Sequence, residues 1–307
     1  MYYKYILSQT SQNVNEKRDF LPFLTFRLTK RLYRDYTKGG KIRQIRRFGR
    51  DYIMILAIDI GNTNIVIGGF ENDTLCFVAR IATNAKKTED EYATKIHSIL
   101  KLHCVDKEAV NGAIISSVVP PLNSVMKRAI EIAYCTTPLM VGPGIKTGIN
   151  IHCDNPASVG ADLICACVAT HHIYGSPSLI VDMGTATKIM IMEDSGTFSG
   201  LSIIPGVHIA LSALASGTAQ LPQISLEAPK SVIGKNTVDC MRSGVVFGNA
   251  AMIDGMIDRF CDEIGKELPV YATGGLSHTI VPHCRHDITL DRDLILKGLN
   301  ILYKKNK

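Results

Sequence analysis

No apolar run in this chain approaches the ~20 residues that a membrane-spanning helix needs. The longest candidate, Ile203 to Leu214, is interrupted by Pro205, Gly206 and His208. Paired CxxC motifs are also missing. The nine cysteines are odd in number and scattered, which argues against a disulfide framework or a zinc ribbon and for reduced thiols in a cytoplasmic protein. Cys165 and Cys167 form a CxC followed by His171-His172. A metal site is one reading of this group; small core residues on a helix with an exposed end is the expected one. Two nucleotide-binding signatures fail on spacing. In Gly142-Pro143-Gly144-Ile145-Lys146-Thr147-Gly148, Ile145 stands where a P-loop needs glycine before the lysine, and Gly148 falls one position late for a dinucleotide loop. The stretch is expected to be a structured connector.

The main body also lacks a basic surplus, although the formal net charge is +6. Residues 1–53 hold 13 of the 34 Lys and Arg and only 4 of the 28 Asp and Glu; the rest has 21 basic and 24 acidic residues. Basicity is confined to an N-terminal arm containing Lys41-Ile42-Arg43-Gln44-Ile45-Arg46-Arg47. Such an arm suits nucleic acid, an anionic membrane or a targeting peptide. Glu16, Asp19 and Asp35 weaken the last. Because Met54 directly precedes the first apolar strand, residues 1–53 are expected to be a dispensable or upstream-translated extension, with no membrane or nucleic-acid role.

Asp59-Ile60-Gly61-Asn62-Thr63-Asn64 lies between the apolar runs Met54 to Ile58 and Ile65 to Phe70. This pattern predicts a tight hairpin with an open polar tip. Gly61 allows close backbone approach and can supply positive φ. Loop N–H groups and small polar side chains suit phosphate oxygens. Asp59 would be repelled by them unless a cation bridges the two, most often Mg²⁺. The pattern recurs 123 positions later: Leu179-Ile180-Val181 leads into Asp182-Met183-Gly184-Thr185-Ala186-Thr187, then Lys188 to Met192. Each half therefore reads as a copy of one unit. A third turn, Thr273-Gly274-Gly275, follows the strand from Val270. Two facing phosphate hairpins and a Gly-Gly turn make a nucleotide clamp.

The remaining pattern predicts strands near 54–59, 65–70, 75–82, 113–116 and 138–141, with helices at 88–103 and 120–134. Residues 142–156 connect the halves. Strands follow at 178–183, 187–193, 197–204 and 269–273, with helices near 206–217, 235–265 and 291–302. Asn155-Pro156 reads as a helix start, with Asn capping and Pro in the first turn. Along that helix Val159, Leu163, Ile164, Cys167 and Val168 form an apolar face; Ser158, Asp162, Cys165 and Ala169 form a face of small residues. Asp162 is alone there, where another body can approach, and is the candidate for the chemistry. Capping of a neighbouring loop is its alternative role.

The duplicated hairpins resemble the actin, sugar kinase and Hsp70 superfamily. Ile115-Ser116-Ser117-Val118-Val119-Pro120-Pro121, Asp154-Asn155-Pro156, Val159-Gly160-Ala161-Asp162, Val232-Ile233-Gly234-Lys235-Asn236-Thr237 and Ala272-Thr273-Gly274-Gly275-Leu276, in this order, resemble type III pantothenate kinase from Met54 to about Tyr303. The resemblance implies an α/β fold of duplicated ribonuclease-H-like (actin-like ATPase) domains, mixed sheets flanked by helices, divided here as 54–156 and 157–307. It implies ATP-dependent phosphorylation of pantothenate to 4′-phosphopantothenate, the first step of coenzyme A synthesis, by a homodimer with the acceptor pocket at the interface. It implies that Asp162 accepts the hydroxyl proton. Asp59, Ile60, Gly61, Asn62, Thr63, Asn64, Ile65, Val66 and Thr185 would hold ATP, with Asp59 near Mg²⁺. Asp182 would bind a monovalent cation, K⁺ or NH₄⁺. Cys153, Gly160, Ala161, Asp162, Leu163 and Thr237 would meet pantothenate.

Three positions depart from the family pattern: Leu163 where Arg usually follows the catalytic Asp, Cys153 where Tyr is common, and Lys188 where Thr is common. Leu cannot replace the forked donor of Arg. Two alternatives follow: a degenerate homologue that regulates or binds, its basic arm touching nucleic acid, and a kinase of the same fold for another small hydroxylated acid.

Overall fold

The computed structural model describes residues 32–36, 42–47 and 52–307. Two compact units divide at residues 48 and 49. In the first, β1 (Leu32–Tyr36) and β2 (Ile42–Arg47) pair antiparallel, Leu32 opposite Arg47. The sequence reading assigns no element to this arm, whose charge masks a run of β-forming Tyr and Ile. The rest of the arm, and with it the expectation that 1–53 is dispensable, lies outside the described residues.

The second unit contains β3 (Met54–Ile60), β4 (Asn64–Glu71), β5 (Thr74–Ala82), β6 (Val110–Ser117) and β7 (Leu139–Met140), with α1 (Glu89–Leu102) and α2 (Pro121–Tyr134). After β8 (Asn150–Ile151) come α3 (Ala161–Ile173), β9 (Ser178–Met183), β10 (Ala186–Met192), β11 (Thr197–Pro205), α4 (Val207–Ser216) and α5 (Thr237–Ile264). β12 (Val270–Thr273), α6 (Ser277–Ile280), β13 (Ile288–Leu290) and α7 (Leu294–Lys305) complete it.

One sheet has the order β5-β4-β3-β6-β7, the other β13-β12-β9-β10-β11-β8. The duplication is complete at this level. In each, an antiparallel three-strand meander passes its first strand to two parallel neighbours. β8 is an addition, a short strand inside the 142–156 connector that pairs parallel with β11.

α3 and α7 serve both sheets. Ala57, Phe70 and Ile114 of the first sheet share a core with Ile164, Cys165 and Val168 of α3 and Leu296, Leu299 and Leu302 of α7. Ile180, Met190 and Met192 of the second pack with Leu163, Ala166 and Cys167 of α3 and Leu294 of α7. A helix covered on two sides must be apolar nearly all round, and nine of the thirteen residues of α3 are buried. The small-residue face of α3 is where α7 comes close: a Cβ on Gly298 would lie 2.0 Å from the Cys165 carbonyl oxygen. Packing therefore crosses residue 156, and both chain halves contribute to the first sheet's core. The outer face of the second sheet, with Leu179, Val181, Met183, Ile189 and Ile191, is covered by α4 and α5.

The helix expected from Asn155-Pro156 starts later. Residues Pro156–Ser158 form a 3-10 turn, and α3 begins after Gly160. The capping logic failed because the Asn155 side chain makes no cap hydrogen bond. Asp162 consequently stands in the first helical turn instead of mid-helix. α6 and β13 lie in a region to which the sequence reading assigned no element; both are very short.

Candidate active site

The first hairpin turns between Ile60 and Ile65, which face each other. The Gly61 N–H donates to the Asn64 carbonyl at 3.0 Å, and Thr83 Oγ1 donates to the Gly61 carbonyl at 2.6 Å. Positive φ is not what Gly61 supplies here. Its value is size, since a Cβ would sit 3.1 Å from the Asn64 oxygen. Asn62, Thr63 and Asn64 are exposed at the tip, whereas Ile60 and Ile65 are fully buried and offer a ligand only their backbone.

The second hairpin is one residue tighter. Met183 faces Thr187 and Asp182 faces Lys188. Two close approaches fix its tip. A Cβ on Gly206, at the start of α4, would lie 2.0 Å from the Thr185 carbonyl oxygen. Gly274, at φ +94°, places the Gly-Gly turn against the Met183 backbone, where a Cβ would lie 2.5 Å away. The expected third turn thus adjoins the second hairpin. The two tips also meet: Thr63 Oγ1 lies 3.2 Å from Thr185 Oγ1.

Alternation along the strands decides where the carboxylates go. Asp59 follows Ile55 and Ala57 on the first-sheet face that receives α3 and α7. Asp182 and Lys188 continue the row of Ile180, Met190 and Met192 facing α3 from the other sheet. The N-terminal turn of α3 brings Asp162 to the same end. Its Oδ1 accepts from the Leu163 N–H at 2.9 Å, a carboxylate at the positive end of a helix. Gly160 leaves room for this, because a Cβ there would lie 2.5 Å from Asp162 Oδ1.

Lys188 ties the group together. Its Nζ donates to Asp162 Oδ2 at 2.5 Å and to Asp182 Oδ2 at 3.0 Å. All three side chains are largely withdrawn from water, Lys188 retaining 18%, Asp162 12% and Asp182 6% exposure. Burial opposes the Lys188 charge, but Asp182 and Asp162 outweigh it and push its pKa up. Burial raises the Asp182 carboxyl despite Lys188. Among the described residues no hydrogen bond joins an ammonium to Asp59, and Lys188 acts on it only through space. Burial, with the charges of Asp162 and Asp182, pushes it up to about 7. Lys188 is the residue whose role sequence reasoning left unplaced. The signal was the turn length, which alone sets which residue faces Asp182.

Other expected site residues lie apart. Leu163 is buried among Phe198, Met190 and Leu294, its side chain turned into the core. Cys153 is partly exposed after β8, and Thr237 is exposed as the first residue of α5, capped by Asn236. Among the described residues no hydrogen bond joins either to Asp162, Lys188 or Asp182. Cys165 and Cys167 are buried with thiol pKa values pushed up by desolvation, and no cluster of His, Cys, Asp and Glu among the described residues could hold a metal.

The sequence profile of type III pantothenate kinase matches residues 55–259. A type III pantothenate kinase from Halalkalibacterium halodurans is 41% identical over 253 residues, covering 82% of this chain and all of that protein. The chain belongs to the type III pantothenate kinase family. Among solved structures, component A of (R)-2-hydroxyglutaryl-CoA dehydratase from Acidaminococcus fermentans aligns with TM-score 0.50 at 14% identity, over 83% of this chain and all of the other. A Campylobacter jejuni protein assigned to the Baf family of transcriptional activators aligns with TM-score 0.52 at 20% identity, over 82% of this chain and 98% of its own. At these identities the likeness concerns the fold, the duplicated actin-like ATPase architecture. In this member of the kinase family, Asp162 is held by a lysine from the second hairpin.

Proposed function

We propose that the protein transfers the γ-phosphoryl group of ATP to the terminal hydroxyl of pantothenate, giving 4′-phosphopantothenate for coenzyme A synthesis. One observation carries this beyond family membership: two phosphate-type hairpins touch at their tips, with an aspartate on a helix N-terminus beside them. ATP phosphates would lie along Asn62, Thr63, Asn64 and Thr185, with backbone contributions from Ile60, Gly61, Ile65 and Val66. Asp162 accepts the hydroxyl proton as the new O–P bond forms and the bond to the ADP oxygen breaks. Phosphoryl transfer asks mainly for such positioning and for charge neutralisation. Both Asp162 oxygens already accept one hydrogen bond, and each keeps a further lone pair for the hydroxyl.

Asp59 fits Mg²⁺. It is a buried carboxylate at the base of the first tip, and among the described residues Lys188 reaches it only through space. Mg²⁺ is held by one or two carboxylates together with phosphates, not by an all-protein cage. Bound there, the ion would neutralise phosphate charge.

Gly160, Ala161 and Cys153 line the acceptor side in this reading. Thr237 would reach it from a second copy, which accounts for its separation from Asp162 within one chain. Exposed Ile203, Ile209, Leu214, Val232 and Ile233 on β11, α4 and the segment before α5 support a homodimer. All nine cysteines are free thiols, and among the described residues no helix is long and apolar enough to cross a membrane. These support a cytoplasmic location.

The test is an acceptor screen with ATP and Mg²⁺, reading ADP release and product mass. Pantothenate-dependent formation of 4′-phosphopantothenate is expected. Turnover with another hydroxy acid alone, or DNA retention without turnover, would overturn the assignment.

A further inference from the structure

We propose that Lys188 is the resident cation of the second hairpin, a positioning residue that takes the place of a soluble monovalent ion between Asp182 and Asp162. A free K⁺ or NH₄⁺ at Asp182 does not fit the residues present. Asp182 Oδ2 already accepts from the Lys188 ammonium at 3.0 Å, and the same ammonium reaches Asp162 Oδ2 at 2.5 Å. A second cation on these oxygens would meet a like charge across one carboxylate.

The placement is built into the fold. Lys188 stands directly across the antiparallel ladder from Asp182. Its stem runs on the sheet face where Met190 and Met192 pack against α3. An ammonium carries three donors, and two are taken by carboxylates. The third is available to a phosphate oxygen lying along the tips. Lys188 thus neutralises Asp182, orients Asp162 and leaves one N–H for substrate. The first hairpin shows the contrast: Val66 stands opposite Asp59, so that carboxylate faces an apolar side chain across the ladder.

The activity part of the test rests on the kinase reading; the stability part does not. Full-length protein is prepared with tetramethylammonium as the sole monovalent cation, and K⁺ or NH₄⁺ is added at constant ionic strength. Thermal unfolding is followed with Mg²⁺ and a non-hydrolysable ATP analogue. Wild-type stability and turnover should not respond to either ion. Lys188→Ala should lose about 10–100-fold in turnover, the scale of a lost charge-assisted hydrogen bond. NH₄⁺ or K⁺ should restore both its turnover and its stability, and Lys188→Arg should keep cation independence. Strong stimulation or stabilisation of the wild type by K⁺ or NH₄⁺ would overturn the proposal, as would a Lys188→Ala variant that neither loses function nor responds to cations. If Lys188→Ala does not fold, the wild-type titration decides. If pantothenate is not turned over at all, the kinase reading fails, and the unfolding data still decide the role of Lys188.

Discussion

The two hairpins share a strand order and an Asp-x-Gly turn, yet they treat their aspartates in opposite ways. In the first, Asp59 faces Val66 across the ladder, and its carboxyl is pushed up to about 7. In the second, Asp182 faces Lys188, whose ammonium also holds Asp162. Burial raises both aspartates; Lys188 is hydrogen-bonded to Asp182 and acts on Asp59 only through space. A duplicated scaffold can thus keep its geometry while one copy sets a lysine across from its carboxylate and the other sets a valine there. One residue of turn length separates them, since it decides which side chain stands opposite the carboxylate.

The most severe way to break this contrast is to remove the group that the second hairpin holds. Asp162→Asn should lower kcat by roughly 10²–10⁴-fold, the usual worth of a general base, while nucleotide binding by calorimetry persists. Near-normal turnover would remove Asp162 from the chemistry and leave Lys188 with only a structural partner.

Leu163→Arg probes the apolar floor beneath the same hairpin. The substitution would drive a guanidinium among Phe198, Met190 and Leu294. An unpaired buried charge costs several kcal/mol, so Tm should fall by roughly 10 °C. A folded variant with a lower KM for pantothenate would show that the side chain turns out to the acceptor instead.

Val66→Lys would make the first hairpin imitate the second. An ammonium opposite Asp59 should compete with Mg²⁺ and raise the apparent Mg²⁺ requirement by roughly 10–100-fold. An unchanged Mg²⁺ titration would mean that the carboxylate facing Val66 is not where the ion acts.

Asp59→Asn sharpens the comparison through pH. The carboxyl is raised from 3.8 to about 7 on folding. Its contribution to stability is therefore present below about 3.8 and lost as pH rises through 7. Without Mg²⁺, replacement by neutral Asn should raise Tm by an amount on the order of a few °C at pH 8, and by less at pH 5. Equal shifts at both pH values would show that Asp59 is not perturbed.

The strand meanders were legible because buried strands read as short apolar runs bounded by Gly and polar turns, and both Asp-x-Gly tips sit where that pattern put them. The meeting of Thr63 with Thr185 followed from the repeat. The start of α3 was not legible, since Asn155 and Pro156 mimic a cap in composition while their side chains make no such bond. Nor was the burial of Leu163, because a helix enclosed from two sides has no polar face to reveal which neighbour each residue meets. Lys188 was visible as a departure, but cross-strand register depends on turn length, which residue types leave open by one position.

The place of α7 bears on how the chain is made. Its residues Leu296, Leu299 and Leu302 close the core over the first sheet, more than two hundred residues after β3. During synthesis the first three strands can pair, but the face of their sheet that α3 and α7 share stays incompletely covered until α7 has been made. Contacts of such sequence separation are slow to form, and exposed apolar sheet invites association in the meantime. The nascent protein passes through a long interval in which this early sheet is poorly protected, and closure of its core waits on α7.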